Sequence, residues 1–266
     1  MLTHSASQPD DGLNSDLSDI PLRLEFNDES LVAVVKPAGL SVHRNSDDRV
    51  SSGYLLQQLR DQTGDWLFPI HRLDRATSGL VVFAKSAEIA AAISAQFASR
   101  DVEKQYVALV RGFTPEKSSM DHPLISMRGR TKPEGHPARE PQAASTDYET
   151  VQQWQLPFSS GRYSTTRCSL VNVFPRTGRW HQIRRHFNYD SHPVIGDSSH
   201  GDTRVNKMFS ECLGVNRLML MATFLKFVHP VTQKTIQLEC SLDTNFQEAV
   251  RRVEQESSSL GDGNGV

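Results

Sequence analysis

The chain has 266 residues, 37% of them hydrophobic and 23% charged, which suits one large domain, or at most two, with a sizeable core. Its three cysteines, Cys168, Cys212 and Cys240, are odd in number and form no CxxC or CxxH pair, which excludes a recognisable disulfide framework or zinc ribbon and fits a reducing, cytoplasmic setting. No stretch approaches the roughly 20 apolar residues that span a bilayer, and the polar, acidic start of the chain lacks the apolar segment of a signal peptide.

The net charge of −2 alone argues against nucleic acid, but its distribution argues otherwise. Residues 1–30 carry seven acids and one base, and residues 251–266 three acids and two bases, so 26 bases face 21 acids in between. Phosphate binding depends on such local excess rather than on the total.

Taken in order, residues 1–20 are rich in Ser and Asp and read as a disordered acidic tail. LRLEF then alternates as a half-buried strand, and Asn27 to Ser30 form a turn. LVAVVKPAGLSVH is a buried strand broken by a Lys-Pro turn. Tyr54, Leu55 and Leu59 recur at helical spacing before Gly64, a helix stop. HRLDRATSGLVVFAKS (His71 to Ser86) places one carboxylate, Asp74, between Arg72 and Arg75, follows it with Thr77, Ser78 and a permissive Gly79, and runs into a buried strand. A loop acid between two arginines is ordinarily a solvated ion pair of little consequence.

Ser86 caps a helix over 87–99 whose Ile89, Ile93 and Phe97 face the core. VEKQYVALVRG reads as a strand with Tyr106, Ala108 and Val110 on one face. Residues 114–145, with five prolines and the run Met127 to Lys132, read as a flexible basic insertion, either an RNA-backbone contact or a solvated loop. Ala143 to Tyr148 starts a strand, TTRCSLVNVF is another, Pro175 to Gly178 turn, and Arg179 to Phe187 form a short helix. Met219 to Pro230 reads as a strand pair, TQKTIQL as a further strand, and Asn245 to Val253 as a closing helix before a disordered Ser/Gly-rich tail. His181 and His186 lie five apart, about 140° around a helix, so they do not share a face as metal ligands would, and no acid completes a set with His192 or His200. No metal is expected.

HRLD-x-x-TSG resembles the active-site motif of the RluA family of RNA pseudouridine synthases. Three further segments agree with it. DESLVAVVKPAGLSVH is similar to the first family motif, KQYVALVRG to K-x-Y-x-A-x-V-x-G, and TGRWHQIRRH with SHPVIGDSSHGD to the third motif and its tail. The resemblance covers residues 21–250 and departs at Met221, where many members have His, and at Gln233 for Gly. It implies an α+β fold: a long, mixed but mainly antiparallel sheet flanked by helices, with an RNA-binding cleft across its middle. Residues 21–250 would be the catalytic domain, and 1–20 and 251–266 tails with no accessory RNA-binding domain.

The implied reaction isomerises uridine to pseudouridine, without redox change or added atoms, and so without cofactor or metal. The resemblance implies Asp74 as the catalytic carboxylate, Arg184 as its cationic partner and Tyr106 as the residue that stacks on the target uracil. Arg72 would fill the space left by a flipped base, and Arg75, Arg179 and Arg185 would meet RNA. An ionised carboxylate in a dry site has its pKa raised by desolvation, and Arg184 is expected to push it back down. Asp74 could attack the sugar, attack the base or remove a sugar proton, and Tyr106 could accept the C5 proton. Within the family the likeness is closest to the group that modifies one tRNA uridine, position 65, near the acceptor/T-stem junction. A ribosomal RNA enzyme, or a silent RNA-binding protein on the same fold, are the alternatives. A monomer is expected. The kinase H-R-D loop is a superficial likeness only, since no glycine-rich loop, strand lysine or D-F-G accompanies it.

Overall fold

A computed structural model describes residues 21–43, 53–125, 140–161 and 163–258; the N-terminal tail, the Met127 to Lys132 run and residues 259–266 lie outside them. Most described strands join one ten-stranded sheet, ordered β1-β2-β4-β11-β5-β10-β9-β6, with β3 beside β4 and β12 beside β11. Its strands are β1 (Leu24–Asn27), β2 (Leu31–Lys36), β3 (Phe68–Pro69), β4 (Ser78–Ala84), β5 (Glu103–Arg111), β6 (Lys117–Met120), β9 (Thr146–Leu156), β10 (Thr166–Pro175), β11 (Leu220–Val228) and β12 (Thr235–Glu239). A small ribbon, β7 (Leu124–Ile125) with β8 (Pro141–Gln142), frames the insertion. Every pairing is antiparallel except β4 with β11.

The apolar run of β4 is buried along its whole length, as a strand covered on both faces must be. Its alternate side chains divide between two cores. Leu80, Val82 and Ala84 join a cluster with Ile93, Phe209 and Phe246, whereas Val81 and Phe83 pack with Val32, Val34, Leu55 and Leu59. Apart from Val32 and Val34 of β2, these partners come from α1 (Leu55–Thr63), α2 (Ala87–Ser99), α4 (Thr203–Leu213) and α5 (Thr244–Ser258). The remaining helix, α3 (Gln182–Tyr189), sets Phe187 and Ile183 against β5 and β10 in a third cluster.

The Ser86 cap is present, its hydroxyl accepting from the Ile89 amide. Three readings change. Residues 220–228 form one strand rather than a pair. Helix α4 was not expected; Asp202 caps it by accepting from the Arg204 and Val205 amides. Helix α5 runs past Val253 to Ser258, so 251–258 are helical rather than tail. Phe246 and Val253 are fully buried there, and Arg252 donates to the Leu213 carbonyl and to Glu248.

Gly79 stands where β4 meets β11, with Met221 opposite Ser78 and Ala222 opposite Gly79. Its φ is +112°, and a Cβ there would lie 2.0 Å from the Ala222 carbonyl oxygen. Both the left-handed backbone and the backbone-to-backbone approach require glycine. Gly79→Ala is therefore expected to cost more than about 3 kcal/mol, lowering the thermal midpoint by roughly 6–12 °C. A wild-type midpoint in a calorimetric scan would show that the two strands separate at no cost.

Candidate active site

The loop between His71 and Thr77 is pinned from three sides. His71 accepts a hydrogen bond from the Val82 amide through Nε2 at 3.0 Å, which puts its ring proton on Nδ1. Burial lowers its pKa to about 4, so it stays neutral. Phe97, packed against the core as expected, also stacks on this ring at 4.8 Å. Lys36, fully buried, donates to the carbonyls of Pro37 and Leu40 at 2.8 Å and of Arg75 at 3.1 Å. Burial lowers its pKa to about 7, against the pull of Asp74. The Lys-Pro turn thus ties itself to the Asp74 loop through an amine whose acceptors lie on both. Arg75 contributes to the same brace, its Nε donating to the Gly39 carbonyl at 2.9 Å. It does not line the cleft, unlike Arg72.

Across the sheet, α3 brings Arg184 toward Asp74. Nη1 of Arg184 lies 3.4 Å from Asp74 Oδ2. Its stronger bonds go elsewhere: Nε and Nη2 each reach one oxygen of Asp197 at 2.7 Å, the two-pronged pairing that suits a guanidinium. Asp197, whose side chain is fully buried, also accepts from the Ser199 and His200 amides. The two carboxylates respond oppositely. Burial would raise Asp197, but Arg184 and the two amides outweigh it and hold its pKa below the ordinary value. For Asp74 burial wins, and its pKa stays raised although Arg184, Arg72 and Lys36 all pull it down. The expected restoration of Asp74 by Arg184 is therefore incomplete, because the cation's best two donors are engaged by Asp197.

His181 approaches the same Asp74 oxygen, with Nε2 at 3.6 Å. Its other nitrogen meets His200 Nε2 at 2.9 Å. Burial, with Arg184 nearby, lowers the pKa of His181 to about 3, so a neutral ring faces Asp74. The chain reaches this position through a left-handed turn at His181, φ +50° and ψ +32°. Gln182 fixes that turn: it accepts from Thr177 and the Arg179 amide, and donates to Ser145 and Thr146. Asp197, His181, His200 and Gln182 were not among the expected site residues. Asp197 and His200 lie in the SHPVIGDSSHGD match, where the sequence offered a pattern but no contact. The remaining histidines are separate: His186 bonds Thr146 and the His122 carbonyl, and His192 the Arg111 carbonyl. Among the described residues no group of His, Cys, Asp or Glu could hold a metal ion.

These residues border a cleft of about 700 Å³ in which Asp74 is the one carboxylate among the described lining residues, against Arg72, Arg100, Lys104, Arg179, Arg184 and Arg185. That volume is in the range of small-ligand sites and suits a single nucleotide. Arg179 and Arg185 line it from α3 and the turn before it, each also donating to a carbonyl, of Ala143 and Ile125. Tyr106 lies on the floor beside Asp74. Burial and the negative charge of Asp74 push its hydroxyl pKa up, so it remains protonated and no phenolate is available to take a proton. The Tyr106→Phe variant is accordingly expected to bind RNA as wild type does and to turn over within about tenfold of it. A loss beyond a hundredfold in single-turnover product formation would restore a proton-handling role to the hydroxyl.

Residues 30–189 match the RNA pseudouridylate synthase family. The chain belongs to this family, whose members isomerise uridine to pseudouridine. Among curated proteins it is 42% identical over 226 residues to the tRNA pseudouridine synthase C of Haemophilus ducreyi, covering 85% of this chain and 93% of that one. It is 40% identical over 239 residues to the protein of the same name from Vibrio parahaemolyticus, covering 90% and 97%. Among solved structures, human RNA pseudouridylate synthase domain containing 1 aligns with a TM-score of 0.64 at 26% identity, over 84% of each chain. Human RNA pseudouridylate synthase domain containing 4, at 24% identity, shares the fold with a TM-score of 0.66, over 87% of this chain and 92% of its own.

Proposed function

We propose that this chain converts one uridine of tRNA, position 65 near the acceptor/T-stem junction, to pseudouridine, with Asp74 as the catalytic carboxylate. The observation that carries this reading is a nucleotide-sized cleft in which, among the described lining residues, Asp74 is the one carboxylate and stands against six arginine and lysine side chains. The relatives named tRNA pseudouridine synthase C support tRNA as the substrate. A stacked uridine cannot reach Asp74, so it is flipped out at a cost of a few kcal/mol. Arg72, exposed at the cleft edge and without an ion pair among the described residues, is free to occupy the vacated space. The ring of Tyr106 packs on the extruded base, worth about 1–3 kcal/mol.

In the reaction the N1–C1′ bond breaks, the uracil rotates, and a C5–C1′ bond forms. C5 loses a proton and N1 gains one, so atoms and electrons balance within the substrate. Attack on C1′, attack on the base and removal of a sugar proton all require ionised Asp74. Arg184 and the neutral His181 hold that carboxylate from the same side, leaving its other oxygen, Oδ1, for the substrate. The enzyme acts as a monomer in the cytoplasm.

Tritium release from tRNA carrying [5-³H]uridine tests the reading, with the modified position then mapped. Release from ribosomal RNA but not tRNA would move the enzyme to another substrate. Release from neither would leave an RNA-binding protein on this fold.

A further inference from the structure

We propose that Arg100 and Lys104 form a phosphodiester subsite at the His71–Phe97 side of the cleft, holding the backbone of the strand that carries the target uridine. The proposal rests on RNA being the substrate. Both residues line the cleft. Among the described residues neither side chain makes an ion pair or hydrogen bond, although acids stand beside them in sequence. Those acids are engaged: Glu103 pairs with Lys226 at 2.7 Å, and Asp101 accepts from the Ser99 hydroxyl at 2.5 Å. Lys104 is half-buried, and both burial and the like charge of Arg100 disfavour its ammonium. An unpaired cation held partly out of water beside a second cation is destabilising unless an anion completes the set.

The placement fits a nucleotide. Lys104 precedes Tyr106 by two residues on β5, so both point from the same face, about 7 Å apart along the strand. A base lying on Tyr106 would carry its sugar and phosphate within that distance. The charges bearing most on Asp74 come instead from Arg184, Arg72 and Lys36, so the two groups divide the cleft between chemistry and backbone binding. Arg100 carries a second sign. It ends α2 in the left-handed conformation, φ +70° and ψ +26°, where glycine is the unstrained choice. A cation there also suits the helix dipole, and the test separates that role from binding.

The test is tRNA binding by the full chain, measured by fluorescence anisotropy between 50 and 200 mM KCl, for wild type, Lys104→Met, Lys104→Arg and Arg100→Gly. Lys104→Met keeps the apolar stem and is expected to weaken binding about fivefold, with the log Kd against log salt slope shallower by about 1. Lys104→Arg is expected to keep the wild-type slope. Arg100→Gly is expected to lose affinity and slope while unfolding at or above the wild-type temperature. Unchanged affinity and slope in Lys104→Met and Arg100→Gly would overturn the subsite, as would weaker binding at an unchanged slope. The readout is binding rather than product. Tight tRNA binding that depends on both residues, without tritium release, would sink the proposed function and leave the subsite standing. Tritium release with unchanged slopes would do the reverse.

Discussion

Asp74→Asn is expected to abolish tritium release, by at least about three orders of magnitude, while tRNA binding is retained and the protein becomes more stable. The loss follows because the amide has the shape of the carboxyl but can neither attack nor accept a proton, and no second carboxylate lines the cleft among the described residues. The gain in stability follows from linkage. The pKa of Asp74 is raised in the folded state, so the folded protein binds that proton more tightly than the unfolded chain. Its contribution is most favourable at low pH and is lost as pH rises through the window above the ordinary value of 3.8. At neutral pH the ionised group therefore destabilises the fold, and the uncharged amide relieves this. Arg184 loses little, since Asp197 already holds it at 2.7 Å. Thermal midpoints of both proteins at pH 7 and at pH 3.5 check the sign: the variant's advantage is expected at pH 7 and should shrink at the lower pH. The same shift places the acid limb of the wild-type pH–rate profile above 3.8. A variant less stable at pH 7 would show that Asp74 is a structural ion-pair partner.

Arg184→Met is expected to remove activity and also to destabilise the protein by about 3–5 kcal/mol, because it leaves the fully buried Asp197 carboxylate without its cation. The distinguishing measurement is a double-mutant cycle. Replacing the buried pair together, as Arg184→Met with Asp197→Leu, is expected to recover much of that stability, since well-packed apolar groups often substitute for a buried ion pair without loss. Activity is expected to stay absent in the double variant, because Asp74 has then lost the cation beside it. Recovered activity would mean that Arg184 acts only on the fold.

The sequence is most informative where structure is decided locally. Alternation placed Tyr106 on the Ala108 face of β5, the Ser86 cap set the start of α2, and the His71 motif located Asp74. It is silent where a residue's role is set by a partner far along the chain. Arg184 and Asp74 are 110 positions apart, and nothing in TGRWHQIRRH shows that Asp197 takes the stronger half of the guanidinium. The two arginines flanking Asp74 look equivalent in sequence, yet Arg72 faces the cleft and Arg75 turns back to Gly39. Helix α4 was readable in principle: Val205, Met208 and Phe209 recur at helical spacing behind Asp202, and all three are buried. The segment lies just beyond the SHPVIGDSSHGD match, which ends at the capping Asp202. The half-buried turn from Arg179 to His181 has no periodicity; Gln182 fixes it through four hydrogen bonds to the start of β9 and to its own loop.

The order of strands in the large sheet carries a consequence for biosynthesis. β4, which follows the Asp74 loop, and β5, which carries Tyr106, are consecutive strands in the sequence, yet they do not touch; β11 lies between them. A growing chain can assemble β1, β2 and β4 from neighbouring segments early, and β5, β9 and β10 likewise. These two blocks acquire their common neighbour only when residues 220–228 leave the ribosome. Loop closure over such a separation is slow compared with the local hairpins on either side. The cleft is consequently the last region to take shape, and a nascent chain cannot act on RNA until almost all of it has been made.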